Sequence, residues 1–135
     1  MYIMPRARRA LGIAAVIVAA TFAFLDCTDF VAPYAPVVTD TTDYFEYSVP
    51  VNGVTTTSRY FWPTTGTAAT VNLMNTVTAG AATITIFDDD SAVIFTHALD
   101  GSGPVGTGSG SAGLWRIVVA LTNASGSLHF TVVPQ

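Results

Sequence analysis

Residues 43–62 read DYFEYSVPVNGVTTTSRYFW, and their alternation decides the fold class. Phe45, Tyr47, Val49 and Val51 share one parity, and Tyr44, Glu46 and Ser48 the other. Successive side chains of a β-strand point to opposite faces, so this pattern is a strand with one face in a core. Asn52-Gly53 interrupts it, and both residues tolerate the positive φ of a type I′ turn. The pair therefore predicts a hairpin from residues 43–51 to residues 54–62. In the second arm Tyr60 and Trp62 face one way, Arg59 and Phe61 the other, and Pro63 ends the arm.

The same grammar continues towards the C-terminus. In residues 67–77, Ala69, Val71 and Leu73 alternate with Thr70, Asn72 and Met74, and in residues 81–87 the inward set is Ala82, Ile84 and Ile86. Residues 92–99 have two nearly equal apolar faces, Val93/Phe95/His97/Leu99 and Ala92/Ile94/Thr96/Ala98. Residues 100–113, DGSGPVGTGSGSAG, offer only Val105 to a core and read as a flexible loop. Residues 114–121 are apolar on both faces except at Arg116, which predicts a central strand, with Trp115 in the core. A turn at residues 123–126 leads to a last strand with Leu128, Phe130 and Val132 inward. About seven short strands with tight turns predict an all-β domain, a single antiparallel β-sandwich of jelly-roll or immunoglobulin-like kind.

The other end of the chain differs. Arg6, Arg8 and Arg9 precede sixteen residues, 10–25, interrupted only by Gly12 and Thr21, and Cys27, the one cysteine, follows. A membrane-spanning helix needs ~20 apolar residues, so the run fits the hydrophobic helix of an export signal better than a transmembrane span. The arginines would keep the N-terminus cytoplasmic and send the remainder outside. Phe24-Leu25-Asp26-Cys27 resembles the lipobox of bacterial lipoproteins, with Leu25 two places before the cysteine and Asp26 directly before it. The resemblance implies that Cys27 is the lipid-modified first residue of the mature chain. Thr28 in the next position implies the outer membrane of a Gram-negative envelope. The expected organisation is a signal or anchoring segment over residues 1–26, a tether over 27–41 and the sandwich over 42–135.

Composition narrows the function further. The chain has no lysine, and from Cys27 onwards eight acidic residues face Arg59 and Arg116, a formal charge of −6. Nucleic-acid affinity depends on neutralising phosphates, so nucleic acid is excluded as a partner. A single cysteine leaves no disulfide within the chain, and an apolar core must hold the domain.

Three motifs bear on chemistry. Asp88-Asp89-Asp90 could give oxygen ligands to a structural calcium ion, although aspartates at a strand end are also ordinary turn residues, and no cofactor is otherwise expected. His97 and His129 are the only imidazoles, too few for a zinc set, and neither sits in a nucleophile motif; strand parity turns His129 away from Leu128 and Phe130, towards solvent. Gly101-Ser102-Gly103-Pro104-Val105-Gly106 has the spacing of a dinucleotide fingerprint without the strand and helix around it. Among Tyr60, Phe61 and Trp62, alternation forces at least one ring to the opposite face, where it could stack on a sugar or a partner protein.

A second resemblance covers most of residues 42–133. Asp43-Tyr44-Phe45-Glu46-Tyr47, Ala79-Gly80-Ala81-Ala82-Thr83-Ile84-Thr85-Ile86 and Gly113-Leu114-Trp115-Arg116-Ile117-Val118-Val119 resemble the ordered motifs of bacterial pre-peptidase C-terminal modules. That family implies a jelly-roll-like sandwich with a non-catalytic accessory role. The expectation is an exported, membrane-anchored cell-envelope module, not an enzyme, that displays a face or loops to a protein or glycan. The alternative is a structural subunit assembling through its strand edges, and a small hydrolase ranks last.

Overall fold

The computed structural model describes residues 34–135, so the expected signal helix and Cys27 lie outside the described residues. The domain is all-β: six antiparallel strands and, among the described residues, no helix. The strands are β1 (Val37–Thr41), β2 (Tyr44–Thr64), β3 (Ala69–Phe87), β4 (Val93–Ala98), β5 (Gly101–Gly106) and β6 (Gly113–Pro134). They are ordered β1-β2-β6-β3-β4, with β5 also pairing β3. The apolar strand read as central is central: β6 lies between β2 and β3 along nearly its whole length.

Three strands are long because the predicted turns do not break them. Asn52-Gly53 is not a hairpin, and β2 runs on through it beside β6, with register shifts between Val51 and Val54 and between Val54 and Thr56. Strand β3 does the same between Val77 and Ala81. The residues that would permit a turn, Gly53 at φ +64°, Gly80 at +74° and Asn123 at +47°, instead form one line of irregularity across the three strands. A bulge needs the same left-handed backbone as a tight turn, which is why the local pattern could not separate them. Seven expected strands accordingly become six.

At that line the sheet doubles back. Tyr47 and Tyr60 belong to the same strand, and a straight strand at roughly 3.3 Å per residue would hold them about 40 Å apart. Their rings are 5.8 Å apart between centroids, and those of Phe45 and Tyr60 are 5.6 Å apart. The first half of β2 packs on the second. Phe45, Tyr47, Val71, Phe130 and Val132 thus share a core with Ile84, Ile86, Trp115, Ile117 and Val119, all completely buried. Trp62 and Trp115 are cross-strand partners, edge to face at 5.7 Å, and each indole N–H is satisfied, by the carbonyls of Thr41 and Ser111. Tyr34 closes one side, its hydroxyl 2.8 Å from that of Tyr47, and burial followed by this hydrogen bond pushes the Tyr47 phenol far above its usual pKa.

Two further expectations are corrected. β1 falls inside the stretch read as tether, because Val37–Thr41 adds to the edge of β2. β5 falls inside the glycine-rich loop: Gly101–Gly106 pairs with Thr70 to Asn75, and Val105 lies opposite Val71. Glycine and proline carry no alternation, so that strand had no sequence signal.

Candidate functional site

The three consecutive aromatics separate as parity requires. Trp62 is completely buried, Tyr60 is half-buried in the aromatic core, and Phe61 is 56% exposed on the outer face. Phe61 lies opposite Arg116, and Arg116 lies opposite Phe87 on the next strand, with Val93 beyond it. The Arg116 guanidinium stacks over the Phe87 ring, 4.1 Å from its centroid. Such a contact contributes ~0.5–1 kcal/mol near a surface and restrains the guanidinium over that ring. Around Phe61 stand Arg59 and Pro63 on its own strand and Leu114 diagonally across. Leu114 is 50% exposed and Val93 57%.

An adjoining row on the same face runs Arg59, Val118, Thr85, Thr96. Arg59 and Arg116 are diagonal neighbours, a relation that sets side chains about 7–8 Å apart. Arg59 shares the Phe61 face by strand parity alone, but Arg116, Phe87 and Leu114 were not legible as companions of Phe61. Each of these three comes from a distant segment, and only the register of β2, β6 and β3 aligns them.

The aspartate cluster closes a loop. Asp88 is 6% exposed, and its carboxylate accepts backbone N–H groups from Ser111 (2.9 Å), Ala92 (2.9 Å) and Asp90 (3.0 Å). Those bonds, Ser111 first and then Ala92, hold its pKa below the usual carboxylate value. Asp89 accepts from the backbone N–H of Leu114, and Asp90 from the Ser111 hydroxyl at 2.6 Å. The glycines opposite permit this closeness, since a Cβ on Gly110 would come within 2.7 Å of Asp88 and one on Gly113 within 2.7 Å of Asp89. N–H and O–H donors thus take up both Asp88 oxygens and one oxygen each of Asp89 and Asp90. Among the described residues no set of three or more His, Cys, Asp or Glu is placed to hold a metal.

The histidines are apart and differently employed. His97 stacks on Phe95, with ring planes within 4°, and its Nδ1 lies 2.7 Å from the carbonyl of Ala98. His129, on the face opposite the core, pairs through Nε2 with Glu46 at 2.8 Å, and Tyr44 donates to the other Glu46 oxygen. His129 and then Tyr44 lower the Glu46 pKa. Ser48 is the cross-strand neighbour of His129, and no hydrogen bond joins the two among the described residues. No protein-family model matches the chain, and no curated protein matches it either.

Proposed function

We propose that this chain is an exported, lipid-anchored accessory module of the bacterial cell envelope, which displays the Phe61 face to a protein or glycan and performs no catalysis. Export and the anchor rest on the arginine-led apolar segment and Cys27. The doubled sheet is best read as a two-layered sandwich of the jelly-roll or immunoglobulin-like kind, a rigid support for a recognition face. One observation carries the reading: Phe61, 56% exposed, lies diagonal to the exposed Leu114 and opposite Arg116, whose guanidinium sits over Phe87, with exposed Val93 at the far end of the same row. Aromatic and arginine side chains at the centre of an apolar patch are the usual composition of a binding surface.

The test is photo-crosslinking in the exporting cell, with a benzophenone amino acid at position 61 or at position 74. Met74 is 50% exposed and lies on the other half of β3. A discrete cross-linked species from 61 and none from 74 is expected; equal labelling from both, or none from either, would end the reading.

The second reading, self-assembly through strand edges, has its own support. From Thr56 to Thr64, β2 pairs with β6 alone among the described residues. Its signature is a sedimentation coefficient that rises with protein concentration.

A further inference from the structure

We infer that the Phe61 face binds a carboxylate-bearing glycan, the ring taking the apolar face of a sugar and Arg116 taking the carboxylate in a forked contact. The inference rests on the proposed display function and adds the ligand class.

The charge distribution carries the first step. The described residues hold seven carboxylates and two cations, Arg59 and Arg116. In so acidic a domain each arginine would be expected to find a carboxylate. Neither does: among the described residues the one ion pair is His129 with Glu46. Both arginines stand on the same face, and both flank the same exposed ring.

The second step is preorganisation. The contact with Phe87 restrains the Arg116 guanidinium before any ligand arrives, and a planar fork matches the two oxygens of a carboxylate. Arg59, diagonal to it, adds a second positive charge on the near side of Phe61.

The third step chooses a sugar over an acidic peptide. A stable protein interface covers about 800 Å² on each partner, whereas one sugar ring needs one aromatic face and a few polar groups beside it. One exposed ring with two guanidinium groups beside it supplies those elements. The neighbouring rows supply outward threonines, Thr85 opposite Thr96, and Thr83 reached from Thr57 through Ala120, whose hydroxyls suit a polyol.

The experiment uses the full chain in detergent and titrates polygalacturonate, its carboxyl-reduced counterpart, neutral dextran and poly-glutamate by calorimetry. Binding to polygalacturonate alone is expected, weakening as salt rises. Phe61→Ala and Arg116→Ala should each lower affinity about tenfold or more, as loss of a charge-assisted or stacking contact does. Arg116→Lys should also lose affinity, because a point charge cannot reproduce the fork. Met74→Ala should change nothing, and unchanged thermal unfolding of every variant shows that the fold is intact. Equal binding to the carboxyl-reduced polymer, tighter binding to poly-glutamate, indifference to the Phe61 and Arg116 variants, or no binding to polygalacturonate would each overturn the inference. Cross-linking from position 61 stands apart from these outcomes: a protein captured there would refute the glycan and leave the display function in place.

Discussion

Single residues decide where the sheet turns on itself, and glycines at the bend are not equivalent. Gly80 has φ +74°, and a Cβ there would collide with the carbonyl oxygens of Asn123 and Thr122 on β6. Gly126, at φ +132°, would collide with the carbonyl of Thr76 on β3. Gly53 shares the left-handed backbone at +64° but has nothing within 4 Å of its missing Cβ. Two costs are therefore separable, backbone strain alone at position 53 and strain plus backbone collision at positions 80 and 126. Gly53→Ala is expected to lose about 1 kcal/mol, the ordinary penalty of a left-handed alanine. Gly80→Ala and Gly126→Ala should lose about 2–4 kcal/mol each, because the opposing atoms are ladder carbonyls that cannot rotate aside. Urea unfolding of the three variants checks this, and equal losses at all three positions would remove the packing argument.

At the scale of elements, the connection from β5 to β6 is fastened to the end of β3 by aspartates. The Asp88 carboxylate gathers N–H groups from Asp90, Ala92 and Ser111, and so ties two separate turns together. Its folded pKa lies below the ordinary 3.8, so the ionised form adds stability that is complete above 3.8 and is lost as pH falls through the depressed value. Asp43, bonded to the backbone and then the hydroxyl of Thr65, acts in the same direction. Asp88→Asn should lower the melting temperature at neutral pH, since an amide offers one acceptor where the loop needs two and points a donor at another. The gap to the parent should narrow as the pH falls below 3.8. Melting curves from pH 7 to pH 2.5 measure it, and a constant gap would mean that the charge contributes nothing. These elements also mark what the sequence could convey. Alternation put Phe45, Tyr47, Val49, Ala82, Ile84, Ile86, Leu128, Phe130 and Val132 on buried faces and separated Phe61 from Tyr60 and Trp62, and the structure agrees and makes Phe61 the exposed ring. Asn52-Gly53 misled because Gly53 takes the left-handed backbone in a bulged bend just as it would in a hairpin. The Gly101–Gly106 strand was invisible for want of side chains. Of the candidate site, one ring and Arg59 beside it were legible and the rest of the setting was not, since pairing of Arg116 with Phe61 and Phe87 is a property of register between strands.

Over the whole molecule, the core and the surface lead to one question about the N-terminus. From Tyr34 onwards the domain has an interior of its own, with its largest aromatic and aliphatic side chains completely buried. It needs no membrane to hide them. If the protein works at an envelope surface, as proposed, a covalent anchor is expected in the segment before residue 34. The sixteen-residue apolar run is short for a span that needs ~20, and one acyl chain gives only marginal, reversible binding, so lasting attachment calls for several acyl chains on Cys27. Intact mass spectrometry of the protein recovered from membranes should therefore find a chain beginning at Cys27 and carrying diacylglyceryl and acyl groups. Cys27→Ser should leave the uncleaved precursor or release the domain into the soluble fraction. An unmodified wild-type chain in the soluble fraction would dispose of the anchor. Cys27, if retained, would then be a free thiol in an oxidising compartment, open to pairing between two copies, and assembly would replace surface display as the leading reading.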